Sequence, residues 1–503
     1  MGGYSTGDAY CECRFSAVRL FQNSQLVSTF ITDEMATAID RWARLYANKA
    51  PWLEKNSQSI GLPSAIAREI STLVTLEMQL TVTDPHSNGT SDTSDAIPSR
   101  AGFIRKVFDG IMPQIQVQTE YACALGGLVF KPYVSGKEVA LDYVQADDFY
   151  PVTFNSRGEI RSAIFMERKR TAHEFFTRME RHNIKKDDYI ITNRAYRSYA
   201  DNDIGTEIPL TEVEEWADIQ PETHIANVDF PLFAYFKIPQ GNVVDKHSQL
   251  GVSVFARADS SGLLKEADRQ WQRFMWEYEG GEMAIDASAD AFKHVKTRDG
   301  ELVPVLPIGK ERLFRMNGII SSSSASDASN LMKTFAPSLR DSNYGQGLNN
   351  ILMRIEDACG LARGTFSDVN EQARTATELK TSRQRSYATV TSIQRSLERS
   401  LDDLAKAVDS LATLYGLAPE GDYNVAYVWD DSIVVDTDTE REKDRADVRD
   451  GLMLPWEYRV KWYGETEEKA RATLDKNNIS SDDDIMGFAK AFAEPEPNPE
   501  IKE

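Results

Sequence analysis

The longest helical pattern in this 503-residue sequence covers residues 374–415, and it sets the scale of the fold. Its apolar side chains recur every three or four residues, the spacing that places them on one face of an α-helix. They are Val390, Ile393, Leu397, Leu401, Leu404, Val408, Leu411 and Tyr415. A helix over this range is ~63 Å long. Together with two further long amphipathic helices, it offers more apolar face than one subunit is expected to cover. We therefore expect copies of the chain to assemble into closed rings.

The remaining sequence mixes helical and strand patterns, which predicts an α+β fold. Its length suggests roughly two to four domains. Helical patterns cover residues 32–47, the segment from Pro63 to Met78, and residues 103–124, 253–278, 344–360 and 438–474. Strand patterns cover residues 128–134, 138–144, 160–168, 174–181, 189–196, 231–238, 302–306, 423–429 and 433–435. Turn-forming residues separate the first five strands, which is typical of an antiparallel meander.

The charge balance restricts how this chain can interact with nucleic acid. It carries 57 basic and 78 acidic residues, for a formal net charge of −21. Such a chain repels DNA at long range, so it is not a conventional DNA-binding protein that gains affinity by neutralising phosphates. Any contact with DNA is expected to be local or transient.

Membrane insertion and secretion are not predicted. The best apolar run, residues 121–130, is half of the ~20 residues that span a bilayer, and residues 1–20 contain no apolar signal core. We therefore expect a soluble protein made in a cytoplasm. The cysteines Cys11, Cys13, Cys123 and Cys359 are too few and too scattered for a disulfide scaffold, so buried or idle thiols are expected.

No pattern in the sequence predicts an enzyme, a cofactor site or a metal site. It contains no Gly-Lys-Ser/Thr phosphate loop, no His-Glu-x-x-His and no Gly-x-Ser-x-Gly. Pairs of acids occur at residues 147–148 and 430–431, with a triplet at 482–484. Because neighbouring side chains in a strand point to opposite faces, each pair offers at most one metal ligand, and a nuclease is only a remote alternative. The histidines His173, His182, His224, His247 and His294 lack metal-ligand spacing.

The charges of the long helix run against its dipole. Residues 374–399 contain Arg374, Lys380, Arg383, Arg385, Arg395 and Arg399, opposed by Glu378 and Glu398. Residues 400–416 contain Asp402, Asp403 and Asp409, opposed by Lys406. Since a helix favours acids at its N-terminus and bases at its C-terminus, something outside the helix should compensate. Carboxylates of a neighbouring subunit, passing DNA phosphates and a solvated face are the three alternatives.

Several local sequences resemble signatures of one protein family. They are Val213-Glu214-Glu215-Trp216, Pro231-Leu232-Phe233-Ala234-Tyr235-Phe236, Leu250-Gly251-Val252-Ser253-Val254-Phe255-Ala256, Gly360-Leu361-Ala362-Arg363-Gly364-Thr365-Phe366-Ser367, Thr375-Ala376-Thr377-Glu378 and, near the C-terminus, residues 458–461, Tyr463-Gly464 and residues 467–470. In this order, over about residues 30–475, the chain resembles the portal proteins of long-tailed, siphovirus-type bacteriophages of Gram-positive hosts.

The resemblance implies a portal fold with a division of the chain into functional parts. Residues 1–252 would form an α+β wing, 253–279 and 341–360 the two stem helices, and 280–340 a small α/β clip between them. Residues 361–373 would form a channel loop, 374–436 the long helix with return strands of the wing, and 437–479 a helical crown. The acidic tail, residues 480–503, is expected to be disordered. The aromatic side chains Trp271, Phe274, Trp276 and Tyr278 are read as packing of the stem between subunits rather than a base-stacking platform.

The resemblance also implies a function and partners. The chain would form a ring, usually of twelve copies, at the capsid vertex of a virion assembled in the host cytoplasm. Double-stranded DNA would pass along its axis without sequence readout. The terminase large subunit, major capsid and scaffolding proteins and a head-completion adaptor would dock on it. The alternative is a minor capsid or scaffold-type protein without a channel.

The channel loop contains the candidate DNA contacts. If it covers residues 361–373, its polar groups best placed to touch phosphates are those of Arg363, Asn370 and Gln372, together with Arg374 at the start of the long helix. Such contacts are expected to be weak, because a duplex that slides must not be held.

Overall fold

The computed structural model describes residues 31–475 except 55–56, 86–98, 172, 187, 201–202, 289–292, 299, 306–312, 318–331, 369–375 and 430–436. The predicted strand at 433–435 and the acidic tail at 480–503 lie outside the described residues. The chain divides into two compact units, Met1–Val428 and Trp429–Glu503. In the described part, no helix has the length and apolar character needed to cross a membrane.

The α+β class predicted from the sequence is confirmed. The helices are α1 (Asp33–Tyr46), α2 (Leu62–Thr75), α3 (Arg100–Ile111), α4 (Ile115–Leu125), α5 (Ala256–Ser260), α6 (Leu263–Gly280), α7 (Asp341–Cys359), α8 (Ala376–Leu414), α9 (Thr437–Arg449), α10 (Pro455–Tyr463) and α11 (Glu467–Asp475). The strands are β1 (Met78–Thr83), β2 (Gly127–Ser135), β3 (Glu138–Gln145), β4 (Phe149–Phe154), β5 (Ile160–Arg170), β6 (Phe175–Lys185), β7 (Asp188–Ser198), β8 (Thr206–Ile208), β9 (Glu222–Ala226), β10 (Ala234–Lys237), β11 (Ala284–Ser288), β12 (Lys293–Lys296), β13 (Leu302–Val305), β14 (Phe314–Asn317), β15 (Met332–Phe335) and β16 (Asn424–Trp429).

The predicted five-strand meander is divided between two sheets. Its last three strands, β5 to β7, lie in the largest sheet, whereas its first two, β2 and β3, pair in another, and β4 was not predicted. Strands β4, β5, β6 and β7 follow one another as antiparallel neighbours, and β8 and β9 both pair with β7. A second sheet has the order β10-β2-β3, and β1 pairs with β16. Phe233, from the segment before β10, packs with Phe149, Phe165 and His182 of the large sheet at ring centroid distances of 6.2, 5.1 and 5.6 Å. This aromatic cluster explains why the sequence around Phe233 is apolar.

Helix α8 packs its apolar face against the same unit of the chain. Of the eight residues of its apolar stripe, all but Tyr415 are buried, and the helix contacts β10, β2, α2 and α3. The expectation that this face requires a neighbouring subunit was therefore wrong. The strands β2 and β10 supply an apolar surface that the periodicity of the helix alone did not reveal.

Two predicted helices are interrupted, each at a residue with special backbone properties. The pattern over residues 253–278 forms α5 and α6, because Gly262 adopts a left-handed conformation with φ +76° between them. The pattern over residues 103–124 forms α3 and α4, joined by a 3₁₀ turn that contains Pro113. Proline has no N–H to donate, so the helical hydrogen bonding is broken there. Met78, predicted on the face of α2, instead begins β1.

The segment before α5 is attached to the end of α4. Val254 N donates to Cys123 O at 2.9 Å. A Cβ on Gly251 would lie 2.0 Å from Gly126 O, and one on Gly126 would lie 2.7 Å from Gly251 O. Glycine is therefore required at both positions, because the two backbones touch.

Two buried acids connect α5 and α6 to residues 41–59. Arg41 of α1 donates to Asp259 of α5, with Nη2 2.6 Å from Oδ1 and Nε 2.8 Å from Oδ2. Asp268 of α6 accepts from Trp52 Nε1 at 2.8 Å and from Ser59 Oγ at 2.9 Å. These contacts tie α5 to α1, and α6 to the segment between α1 and α2.

The two long helices α6 and α7 pack against each other and flank a module of short strands. In that module β11 pairs with β14 and β15, and β12 pairs with β13. Glu277 of α6 accepts from Arg340 Nε at 3.0 Å, Nη2 at 2.7 Å and N at 3.1 Å. This bidentate pair joins the two chain segments at the base of the module.

The second unit, described alone, contains α9, α10 and α11. Tyr458 is fully buried, and its hydroxyl accepts from Arg441 Nε at 3.2 Å and Arg445 Nε at 3.1 Å. Arg459 and Glu465 form a buried ion pair with Nε 2.8 Å from Oε2. The predicted helical segment at 438–474 is thus confirmed as three helices.

A buried charge network joins the sheet β10-β2-β3 to the six-stranded sheet. The carboxylate of Glu180 on β6 contacts Lys131 Nζ of β2 at 3.0 Å, Arg178 Nη1 at 3.0 Å and His182 Nε2 at 2.6 Å. His182 Nδ1 lies 2.7 Å from the hydroxyl of Tyr189, which accepts from Leu232 N at 3.1 Å. Neutral His182 satisfies this network when Nε2–H donates to Glu180 and Nδ1 accepts from the tyrosine.

Protonation of this network should weaken the fold. Burial lowers the pKa of His182 below 6.5, although Glu180 opposes the shift. Burial opposes ionisation of Glu180, but Lys131, His182 and Arg178 outweigh it and hold its pKa well below 4.5. Both groups bind fewer protons in the folded than in the unfolded chain, so their stabilisation is complete at neutral pH. It declines as the pH falls below 6.5 towards the folded pKa of His182, and again below 4.5.

We therefore expect the thermal unfolding midpoint of the chain to fall on acidification from pH 8 to pH 4. Differential scanning fluorimetry across this range measures the effect. His182→Gln should remove the part of the decline that begins near pH 6.5, whereas His224→Gln, at an exposed histidine, should leave the profile unchanged. A midpoint that is constant between pH 8 and pH 5 would contradict the role of His182.

Candidate functional site

The segment that joins α7 to α8 begins with a sharp reversal of the chain. Gly360, directly after α7, has φ +73°, and its N–H donates to Glu356 O. A Cβ at this position would lie 2.4 Å from Thr389 Oγ1 of α8. Thr389 Oγ1 itself donates to Gly360 O at 3.1 Å. The close approach of the two helices therefore depends on a residue without a side chain here.

The carboxylate of Glu356 organises the next residues of this segment. It is fully buried on α7. Its Oε1 accepts from Phe366 N at 2.6 Å and Ser367 N at 2.8 Å, and its Oε2 accepts from Ser367 Oγ at 2.7 Å and Gly364 N at 3.3 Å. A buried charge is tolerated because hydrogen-bond donors surround it. Residues 361–368, which we call the anchored segment, thus turn around one acidic side chain.

Two further contacts fix both ends of the anchored segment. Ala362 N donates to Ser386 Oγ of α8 at 2.6 Å. Asn349 of α7 donates from Nδ2 to Asp368 O at 2.8 Å and accepts from Asp368 N at Oδ1 at 2.7 Å. The segment is therefore held by both long helices.

Two arginines share one carboxylate beside the anchored segment. Arg363 forms a bidentate pair with Asp357 of α7, with Nε 3.2 Å from Oδ1 and Nη2 2.7 Å from Oδ2. Arg385 of α8 also donates from Nη1 to Asp357 Oδ1. Hydrogen bonding to Arg363 is the largest cause that lowers the pKa of Asp357, and the same bond raises the pKa of Arg363. The side chains of Arg363 and Arg385 remain 44% and 48% exposed.

This arrangement answers part of the question raised by the charges of the long helix. Arg385 is compensated by Asp357 of its own chain. At the other end of α8, the buried Arg100 donates to Asp409 O at 3.1 Å and to Pro419 O at 3.0 Å. A cation thus lies where the helix dipole is negative. These compensating groups belong to the same subunit, which none of the three alternatives had included.

Of the four predicted DNA contacts, only Arg363 belongs to the described residues. Asn370, Gln372 and Arg374 lie outside them. Glu356, Asp357 and Arg385 were not singled out from the sequence. The sequence does contain a signal for the two acids. Glu356 and Asp357 stand four and three residues before the helix-ending Gly360, where their side chains can contact the chain as it turns back.

Cys123 and Cys359 are buried, and burial raises the pKa of both thiols, that of Cys359 to about 12. Within the described ranges, no group of three or more His, Cys, Asp or Glu side chains is placed to hold a metal ion. The arrangement can position a segment and present guanidinium groups.

The aromatic side chains of α6 form a row near the strand module. Trp271 and Phe274 have ring centroids 5.9 Å apart, and Phe274 and Tyr278 5.0 Å apart. Trp276 is 63% exposed and Tyr278 39% exposed. Large exposed aromatic groups on one helix are typical of a surface that another protein chain covers.

Comparisons with known proteins identify one family and one group of structures. The profile of the family described as "Phage portal protein, SPP1 Gp6-like" matches residues 116–476. No curated protein sequence matches the chain significantly. A structure described as "Neck of native GTA particle computed with C12 symmetry" is similar, with 10% identity over 85% of this chain and 92% of that chain and a TM-score of 0.34. A second, "Neck of empty GTA particle computed with C6 symmetry", has 10% identity over 85% and 93% and a TM-score of 0.35.

Proposed function

Because this chain belongs to the SPP1 Gp6-like family of phage portal proteins, we propose that it forms the ring through which double-stranded DNA enters and leaves the capsid. Its family is one of structural virion components, and its function is that of a phage portal protein. The finer statements are proposals: a ring of twelve copies, a siphovirus-type phage of a Gram-positive host, and assembly in the host cytoplasm. Proposed partners are the terminase large subunit, the capsid and scaffolding proteins and a head-completion adaptor.

Family membership across residues 116–476 carries this proposal. The described elements support the proposed division of the chain. Helices α6 and α7 would be the stem, the strand module between them the clip, and α9 to α11 the crown. The two sheets with α1 to α4 would belong to the wing. The anchored segment begins the proposed channel loop, residues 361–373.

The anchored segment gives the proposed channel loop a defined base. Glu356, Asn349 and Ser386 hold its first eight residues against two long helices. A segment on such a base presents Arg363 in a constant position relative to the two helices. This supports a contact that recurs identically in each copy around a ring.

We expect the purified chain to form closed rings with a central hole, visible by negative-stain electron microscopy. The exposed aromatic groups of α6 supply an apolar surface for the contact between copies. Trp276→Glu should reduce the fraction of chains in rings, because a charge would be buried at that contact. The matched control is Glu279→Gln at an exposed position of the same helix.

Compact monomers in both microscopy and light scattering would contradict the portal proposal. They would favour the alternative of a minor capsid or scaffold-type protein without a channel. Normal rings from Trp276→Glu would instead remove α6 from the proposed contact and leave the ring proposal standing.

A further inference from the structure

We propose that Asp357 acts as a counter-ion that limits the attraction of Arg363 and Arg385 for DNA phosphate. The anchored segment would then touch a passing duplex without holding it. This inference rests on the proposed function, since it concerns DNA inside a ring of these chains. It adds Arg385 as a phosphate contact and assigns a positioning role to Asp357.

The geometry around Asp357 is that of a shared acceptor. Its two oxygens accept two hydrogen bonds from Arg363 and one from Arg385. A guanidinium has five N–H donors in a planar fork, so one carboxylate cannot occupy all the donors of two arginines. Nearly half of each arginine side chain is exposed, whereas Asp357 is 22% exposed. An anion arriving from solvent therefore meets the arginines before it meets the carboxylate.

The local charges nearly cancel. Arg363 and Arg385 contribute two positive charges, and Asp357, Glu356 and Asp368 contribute three negative charges. The Glu356 carboxylate is buried and accepts hydrogen bonds from the backbone of the anchored segment. Asp357 is thus the acid that pairs directly with the exposed guanidinium groups. Removing its charge would leave both exposed guanidinium groups without the acid that pairs directly with them, in every copy.

This balance bears on how DNA would move. Affinity for a duplex rises with the number of phosphates that a protein neutralises. For each neutralised phosphate, a tenfold increase in salt concentration lowers the logarithm of the binding constant by about 0.9. Guanidinium groups that already share a carboxylate neutralise less of the phosphate charge. Fewer counter-ions are therefore released from the DNA when they bind it. The contact then remains short-ranged, which suits a duplex that must advance and later leave.

The test is Asp357→Asn in the assembled full-length ring. Asparagine keeps the size of the side chain and one acceptor oxygen while removing the charge. Binding of a fluorescent 30-base-pair duplex of arbitrary sequence is measured by anisotropy at several NaCl concentrations. We expect affinity at low salt to increase about tenfold, with a salt dependence steeper by about one phosphate contact or more. Adding Arg363→Gln and Arg385→Gln to Asp357→Asn should abolish the increase.

Asp403→Asn is the matched control. Asp403 is an exposed acid of α8 that pairs with Lys406 Nζ at 3.1 Å, so its replacement changes the charge of each chain by the same amount. We expect its DNA affinity to equal that of the unchanged ring. Equal increases in both variants would overturn the proposal, because total charge would then be the cause. Intact Asp357→Asn rings without an increase would also overturn it.

A second variant keeps the test independent of how Asp357→Asn folds. Arg385→Gln alone should reduce the salt dependence of the residual binding by about one contact, and an unchanged value would exclude Arg385 as a phosphate contact. Microscopy of the unchanged chain precedes both measurements. If the unchanged chain formed no rings, the proposed function would be refuted. If rings formed but the salt dependence of their DNA binding were the same with and without the substitutions at residues 357 and 385, this inference alone would be refuted.

Discussion

Glu356→Ala should release the anchored segment and sharply reduce the DNA retained in capsids while rings still form. The substitution leaves the N–H groups of Phe366 and Ser367 and the hydroxyl of Ser367 without their acceptor. Each lost hydrogen bond to a charged group is worth about 1.5–3 kcal/mol. A loss of about 3 kcal/mol in local stability corresponds to roughly a hundredfold increase in segment opening. Hydrogen exchange at the amides of Phe366 and Ser367 should accelerate by at least that factor.

Two controls separate this local effect from general damage. Glu356→Gln keeps one acceptor oxygen and should give an intermediate rate of exchange. Glu279→Ala removes an exposed acid from α6 and should change neither exchange in the segment nor the DNA content of capsids. If the amides of the anchored segment exchanged in Glu356→Ala at the same rate as in the unchanged protein, the turn would be stable without Glu356. That result would contradict the role assigned to Glu356.

The elements predicted well from sequence are those whose periodicity is long and regular. The stripe of α8 repeats through six turns, and clear turn residues separate the predicted strands, so most of these elements form where expected. The sequence did not show that β2 and β3 leave the predicted meander for a second sheet. Periodicity reports which face of an element is apolar, but not what covers it. The expectation that α8 needs a neighbouring subunit failed on this point, since β2 and β10 cover it.

The candidate site was less predictable because its contacts depend on how the chain reverses after α7. Arg354 stands two residues before Glu356 and Asp357 directly follows it, so the local sequence is consistent with a solvated helix end. Only the left-handed Gly360 returns the chain over the end of α7 and brings backbone N–H groups to Glu356. The same return places Arg363 beside Asp357. A predicted phosphate contact therefore proved to be half of an ion pair, which no spacing rule indicated.

The charge distribution of α8 shows how a local conflict can be resolved by distant residues. A basic N-terminal half and an acidic C-terminal half disfavour the helix in isolation. In the fold, Asp357 compensates Arg385, and Arg100 approaches the C-terminal end of the helix. Arg100 precedes α8 by about three hundred positions, so sequence spacing could not associate the two. The pairing depends on α3 packing against α8.

Arg100→Met should destabilise the first unit by about 3 kcal/mol. Arg100 is 2% exposed, and its guanidinium donates to Pro419 O, to Asp409 O and, at 3.0 Å, to Thr413 Oγ1. Methionine preserves most of the buried volume, so the loss reports the charge and its hydrogen bonds rather than a cavity. The carboxylate of Asp409 is partly exposed and can be solvated, which limits the cost. Chemical denaturation followed by tryptophan fluorescence measures it.

Arg105→Met provides the comparison that makes this result specific. Arg105 lies on the same helix, α3, but is exposed, so its replacement should change the free energy of unfolding by less than about 0.5 kcal/mol. If Arg100→Met lowered the free energy of unfolding as little as Arg105→Met, the C-terminal end of α8 would be stable without a nearby cation. The reversed charge pattern of the helix would then again need a partner outside the chain. If the cost reaches the expected value, the helix behind the proposed channel loop is stabilised at both ends by its own subunit. Arg385, which pairs with Asp357, would then not depend on DNA for its charge balance. A weak, salt-sensitive contact with a moving duplex is consistent with that pairing.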